Sequence, residues 1–194
     1  MLPVTTVKIP PHRIPLNGSY LHRMPVITAT SEDVPKLVTL INSAYRGEES
    51  KKGWTTEADI IQGSLRIDEP ALAELISLQG AKFLKYVNEE KGIDGCVYLH
   101  KNVETMYLGM LSVSPNLQAK GIGKQLMKEA EIHAKKVDCT RIFMRVISLR
   151  HELIHWYEKQ GYYKTDRREP FPGDTRFGTP LRPLEFLIME KKIK

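Results

Sequence analysis

Acidic residues are missing from the first 24 positions, where Lys8, Arg13 and Arg23 leave a charge of +3. The same stretch has no hydrophobic periodicity and carries Pro3, Pro10, Pro11 and Pro15, so residues 1–24 read as an extended, Pro-rich basic arm without a packed core. Lack of acids fits an organelle-targeting peptide, the prolines oppose the amphipathic helix such peptides form, and Met24 fits an alternative translation start. These readings stay open. The continuous apolar stretch of a secretory signal is also missing, and no apolar run approaches the roughly 20 residues of a membrane span. The expectation is a soluble, cytoplasmic protein with no membrane partner. Cysteine is scarce: Cys96 and Cys139 cannot build a disulfide framework, and both fall in strand-like runs where a thiol acts as a small core hydrophobe. Internal repeats are lacking.

What is present suffices for one core. At 194 residues, 41% of them hydrophobic, the chain is too short for two typical domains with long linkers, so residues 25–194 are expected to form one domain. The net charge of +6 is unevenly spread: residues 25–119 carry −4 and residues 120–168 carry +6. That segregation suits an anionic cofactor and a cationic acceptor on opposite sides of one cleft better than a nucleic-acid footprint, and nucleic acid is not expected as a partner. Solvated surface charge is the other reading.

Periodicity divides the domain into alternating elements. Val26–Ala29 reads as a strand, followed by Thr30 or Ser31 as N-cap of a helix to about Tyr45, with Pro35 in its first turn and Leu37, Leu40, Ile41 and Ala44 on one face. Residues 46–53 read as a polar loop, Thr55 or Thr56 to Ile61 as a second helix, and Pro70–Ser77 as a third. Ala81–Val87 and Ile93–His100 form a hairpin pattern. Met106–Val113 is apolar on both alternating faces, as in a strand buried mid-sheet. Ile122, Leu126, Ala130, Ala134 and Val137 then recur at helical spacing. Thr140–Ile147 is strand-like, Arg150 opens a helical stretch ending near Gly161, and a strand to about Thr165, a Pro/Gly loop over 170–180 and a strand over 184–189 close the chain.

Between the buried strand and the longest helix stands Gln118-x-x-Gly121-x-Gly123. A helix beginning on such glycines leaves its first backbone N–H groups open, and the macrodipole adds positive charge there, so an anion is favoured. A dinucleotide fingerprint needs a third glycine where Leu126 stands, and a Walker A loop needs a glycine and a hydroxyl where Gln118 and Gln125 stand. What does fit is the Q/R-x-x-G-x-G/A pyrophosphate loop, and here the sequence resembles the GCN5-related N-acetyltransferase (GNAT) family. Downstream, Tyr157-Glu158-Lys159-Gln160-Gly161-Tyr162 is similar to that family's Y-x-K-x-G-F/Y signature.

The resemblance implies a mixed α/β fold of the GNAT acyl-CoA N-acyltransferase type: a central mixed, twisted sheet, splayed in the middle and flanked by helices. It also implies N-acetyl transfer from acetyl-CoA to a primary amine by direct attack, with acetyl-CoA as cosubstrate, no metal, a small-molecule or protein amine as acceptor, and a monomer or homodimer. By the same carry-over, Leu111, Ser112 and Val113 lie beside pantetheine. Gln118 shapes the loop, and backbone donors of Ala119, Lys120, Gly121, Ile122, Gly123 and Lys124 face pyrophosphate. Arg150 stands where the family often has Asn, and a guanidinium there could bind a cofactor phosphate or cap the preceding strand. Tyr157 matches the tyrosine that protonates the coenzyme A thiolate, and a phenol of pKa about 10 is protonated at neutral pH. Tyr107 replaces the glutamate that many members use as base, leaving Glu104, a water chain or no residue for deprotonation. Gly109 either relaxes the strand or permits close packing. For the acceptor, the early loop offers Tyr45, Arg46, Glu48, Glu49, Trp54 and Glu57, and the late loop Phe171, Asp174, Arg176 and Phe177. Acids there could hold an ammonium, while Arg46 or Arg176 could clamp a carboxylate.

One rival motif is present. His151-Glu152-x-x-His155 is a literal H-E-x-x-H, which on a helix sets two histidines on one face for zinc with Glu152 as base of a metallopeptidase. Glu158 stands where the extended metzincin pattern needs glycine, and no third ligand is evident downstream. A non-catalytic acyl-CoA-binding protein on the same fold is the remaining alternative.

Overall fold

The computed structural model describes residues 26–193; the arm over residues 1–24 lies outside them. β1 (Val26–Thr28) leads to Thr30, whose backbone N–H donates to the Asp33 carboxylate at 2.8 Å, and α1 (Val34–Tyr45) follows with Pro35 in its first turn. α2 (Gly47–Ser50) is a single turn, β2 (Ile61–Gln62) is short, and α3 (Glu69–Ser77) starts where the Asp68 carboxylate accepts from the Ala71 N–H. β3 (Ala81–Val87), β4 (Ile93–Asn102) and β5 (Thr105–Val113) form an antiparallel meander. Then come α4 (Ile122–Lys136), β6 (Arg141–Ile147), α5 (His151–Lys159), β7 (Tyr163–Pro170), β8 (Thr179–Pro180) and β9 (Glu185–Lys192).

Seven strands make one sheet in the order β1-β3-β4-β5-β6-β9-β7, antiparallel throughout except where β5 and β6 run parallel. Alternation along the strands sends Cys96 and Tyr98 of β4 against α1 and α3, and Val97 and Leu99 against α4 and α5. α4 buries Ile122, Leu126, Ala130 and Ala134, as its spacing predicts, with Met127 beside them, while Val137 lies at its C-cap and is half-buried.

The parallel contact is brief. β5 pairs with β6 only through Thr105–Tyr107 and Arg141–Phe143, and beyond those residues the strands part. The cause is visible in the β4 pairing: between the pairs Cys96–Ser112 and Tyr98–Gly109, two residues of β5 oppose Val97 alone. Within this bulge Met110 takes φ +49°, a left-handed conformation for a residue with a side chain. Gly109 serves packing instead: a Cβ there would lie 2.8 Å from the Tyr107 ring.

Three expectations need correction. Residues 55–61 are not a helix, because Glu57 turns inward and Ile61–Gln62 pair antiparallel with Thr179–Pro180 in a separate two-stranded sheet. The helical turn lies instead at Gly47–Ser50, inside the stretch read as loop, where the Ser50 hydroxyl donates to the Gly47 carbonyl at 2.7 Å. β7 also runs to Pro170 rather than Thr165. Its residues are charged and mostly exposed on an edge strand, so hydrophobic alternation did not mark its end.

Candidate active site

Where the two strands part, a cavity of about 480 Å³ opens between β5, the start of α4 and the inner face of α5. Leu111 and Val113 form its β5 wall, and Gln118, Ala119, Gly121, Ile122, Gly123 and Lys124 curve around one end. Ala119 at φ +63° and Gly121 at φ +87° are both left-handed, so this turn presents backbone N–H groups in a concave arrangement. Gly121 is the N-cap of α4 with no side-chain cap, and a Cβ on it would meet nothing within 4 Å. The first N–H groups of α4 therefore lack side-chain acceptors and face open space, as an anion requires. Lys124 on α4 and His155 and Lys159 on α5 rim that end with polar, largely cationic groups.

Gln118 has a role that its motif does not reveal. Its Oε1 accepts from the Trp54 backbone N–H at 2.9 Å, and its Nε2 donates to the Val113 carbonyl at 3.3 Å. One side chain thus ties the early loop to both β5 and the glycine turn. Gly53 makes this possible, since a Cβ there would collide with the Gln118 carboxamide. Trp54 faces Trp156 across the cavity with ring centroids 6.4 Å apart.

A smaller recess of about 50 Å³ lies deeper in the split, with Tyr107, Gly109, Arg145 and Arg66 in its lining. Tyr45, Leu111, Arg150, Leu153 and Tyr157 border both spaces. Tyr157 is buried, edge-on to Trp156 and Tyr162, and burial holds its phenol well above the usual pKa. The Tyr45 phenol is raised likewise, by burial and then by the Glu57 charge, and its hydroxyl donates to the Leu111 carbonyl at 3.3 Å.

Behind this junction sits a buried ionic cluster. Glu57 accepts from Arg46 through one oxygen and from Arg150 through the other, the latter at 3.4 Å. Arg46 also reaches the Phe177 carbonyl at 3.4 Å, and Arg150 donates to Thr55 and, at 3.3 Å, to Glu152. Burying three charged groups is tolerable because each has an opposite partner.

Most residues singled out in the sequence thus meet here, but Arg46, Ser112, Lys120, Arg176 and Glu104 are among those that do not. Arg46 lies behind the cavity, locked to Glu57. The Ser112 hydroxyl is buried in the bulge, donating to the Met110 carbonyl at 3.0 Å, and Lys120 is exposed on the turn. Arg176 pairs with Asp68 at 2.7 Å, away from the cavity. Glu104 is exposed in the β4–β5 turn, before the strand enters the split. Sequence reasoning passed over Thr55, Arg66 and Arg145, and it did not place His155 and Lys159 at this cavity. For Arg145 a signal existed: it alternates with the apolar residues Met144 and Val146 and so must emerge on the opposite face of β6.

The H-E-x-x-H residues do not converge. Glu152 is held by Arg150 and Thr55, His155 stands 3.6 Å from Glu158, and both histidines are exposed. Among the described residues no group of three or more His, Cys, Asp or Glu side chains is placed to hold a metal ion.

The sequence model of the acetyltransferase (GNAT) family matches residues 41–162, more than half of the chain. The chain belongs to this family. It is therefore an acetyl-CoA-dependent N-acyltransferase, and acetyl-CoA is its cosubstrate. Solved structures share the fold at low identity. The ribosomal-protein-S18-alanine N-acetyltransferase of Escherichia coli is 14% identical, with a TM-score of 0.65 over 88% of this chain and 94% of that one. The PaiA N-acetyltransferase of Thermoplasma acidophilum, in complex with coenzyme A, is 22% identical, with a TM-score of 0.65 over 87% and 98%. A GNAT-family acetyltransferase of Staphylococcus aureus is 16% identical, with a TM-score of 0.63 over 88% and 99%. No curated protein matches the chain in sequence. No helix of the described part of this acetyltransferase is long and apolar enough to cross a membrane.

Proposed function

We propose that the chain acetylates a primary amine by direct attack on acetyl-CoA, with Tyr157 as the hydrogen donor to the departing thiolate. The observation that carries this reading is the junction: Leu111, Arg150 and Tyr157 border both the large cavity and the recess, so a thioester and an amine entering from opposite sides meet there. The glycine turn and the start of α4 suit pyrophosphate, and the 480 Å³ cavity along Leu111 and Val113 suits the pantetheine arm.

Direct attack is favoured because neither cysteine is placed in the cleft as a covalent nucleophile. Cys96 is fully buried at the bulge and its thiol is pushed up to about 12 by burial, while Cys139 is buried beyond the cavity lining. Tyr157 stays protonated over the working pH range, since burial disfavours its phenolate. It donates a hydrogen bond to sulfur as the carbon–sulfur bond breaks, and the proton that sulfur finally gains is balanced by the one the attacking amine releases. The acceptor is a small molecule or a protein amine. One fold relative, by its name, acts on the alanine of ribosomal protein S18, which makes a protein amine a concrete candidate.

The test is thiol release from acetyl-CoA across a library of amines, with mass spectrometry of acceptor and protein. Stoichiometric N-acetyl product and an unmodified protein are expected. An acetylated protein on the reaction path, or hydrolysis with no acetylated amine, would overturn the reading.

A further inference from the structure

The recess beside the acetyl junction is lined by three arginines: Arg145 is paired with Glu169 and Arg150 with Glu57 and Glu152, and Arg66 has no carboxylate partner among the described residues. Arg66, Arg145 and Arg150 line it against one carboxylate, Glu57, and Glu57 is already shared between Arg150 and Arg46. Arg66 comes from the loop before α3, and its guanidinium carbon stands 5.6 Å from the Tyr45 ring centroid. Among the described residues it has no carboxylate within ion-pair distance. Arg145 comes from β6 on the face shared with Tyr107, 5.3 Å from that ring's centroid, with Glu169 accepting from its Nε at 2.5 Å. Two guanidiniums thus approach the recess from opposite elements, each laid over an aromatic ring that limits its rotation.

We infer that the acceptor amine carries a carboxylate, as an amino acid or an acidic peptide terminus does, and that Arg66 and Arg145 recognise this carboxylate. This rests on the transferase reading above and names its substrate class. A planar guanidinium fork matches a carboxylate in two parallel hydrogen bonds. The recess, at about 50 Å³, has room for a group of that size beside Tyr107, not for a long cationic chain.

The experiment compares matched acceptors: amino acids, their amides and their decarboxylated amines, followed by thiol release at saturating acetyl-CoA. The wild type is expected to prefer the carboxylate form on the order of 10-fold or more in kcat/KM. In Arg66→Gln and Arg145→Gln the ratio of carboxylate to amide should fall toward 1, mainly through KM, while Arg145→Lys restores part of it. The thermal shift produced by acetyl-CoA alone should persist in all three variants, which shows that they fold. Equal or better use of amides and plain amines by the wild type, or an unchanged ratio in both Gln variants, overturns the inference and leaves the transferase reading standing. Transfer to no member of any series overturns both.

Discussion

Burial pushes the Tyr157 phenol toward its neutral form, and that fixes what it can contribute. A phenolate in this cleft is disfavoured, so the role proposed for the residue is that of a hydrogen donor and not of a base. Tyr157→Phe keeps the ring that packs on Trp156 and Tyr162 and removes the donor alone. kcat should fall on the order of 10²-fold, with little change in acetyl-CoA affinity. Because the raised pKa keeps the phenol protonated well above neutrality, the wild-type rate should show no alkaline loss traceable to Tyr157. A Phe variant with wild-type kcat on a true acceptor would show that the thiolate leaves unassisted. The place of Tyr157, Gln118 and the two glycines at one cavity was legible because each lies inside a short local pattern that resembles a family motif. Arg66 was not, and alternation along β6 reports only the face of Arg145: the two line one recess only because a loop and a strand distant in sequence are brought together. Arg46 illustrates the converse. In sequence it looks like a free clamp, and folding buries it against Glu57.

At the scale of elements, long periodic segments could be read and short ones held by tertiary contacts could not. α1, α4, β3 and β5 announce themselves through apolar spacing. Residues 55–61 have apolar side chains at plausible helical intervals, but Glu57 bridging two arginines decides their course, and no local propensity encodes that bridge. The cluster also joins three elements, since Arg46 follows α1, Glu57 precedes β2 and Arg150 precedes α5. Removing the acid leaves Arg46 buried without a carboxylate and Arg150 with Glu152 alone. Glu57→Gln should therefore destabilise the fold by roughly 3–5 kcal/mol, read from chemical denaturation. Its effect should reach the acceptor loop first, seen as faster amide exchange around Trp54–Ile61. A loss near zero with unchanged exchange would mean that the cluster does not hold this loop in place. The bulge in β5 belongs to this scale too: its position was not legible, because Gly109 drew attention to itself while the left-handed residue is Met110.

For the molecule as a whole, the sheet is two halves held together by a short seam. β1, β3, β4 and β5 form one half and β6, β9 and β7 the other, and only three residue pairs of the parallel ladder connect them. The cavity spans this seam, walled by β5 and the start of α4 on one side and by α5 on the other. A cosubstrate seated there touches both halves, so its binding should stabilise the whole fold. At 100 times its Kd, a native-state ligand adds about 2.7 kcal/mol, which for a domain of this size raises Tm by roughly 5–10 °C. Gly121→Val tests the loop behind that shift, since its side chain would project into the open space before the start of α4. Gly121 has φ +87°, so the substitution also strains the backbone and lowers the starting Tm. Gly161→Val supplies the matched control: it has the same φ of +87°, lies at the far end of α5, and meets only the flexible Lys191 side chain. Both variants should melt earlier than the wild type. Only Gly161→Val should keep the acetyl-CoA shift, because the strain is common to the two and the phosphate contact is not. A full shift in Gly121→Val, or its loss in both, would take pyrophosphate binding away from the glycine turn.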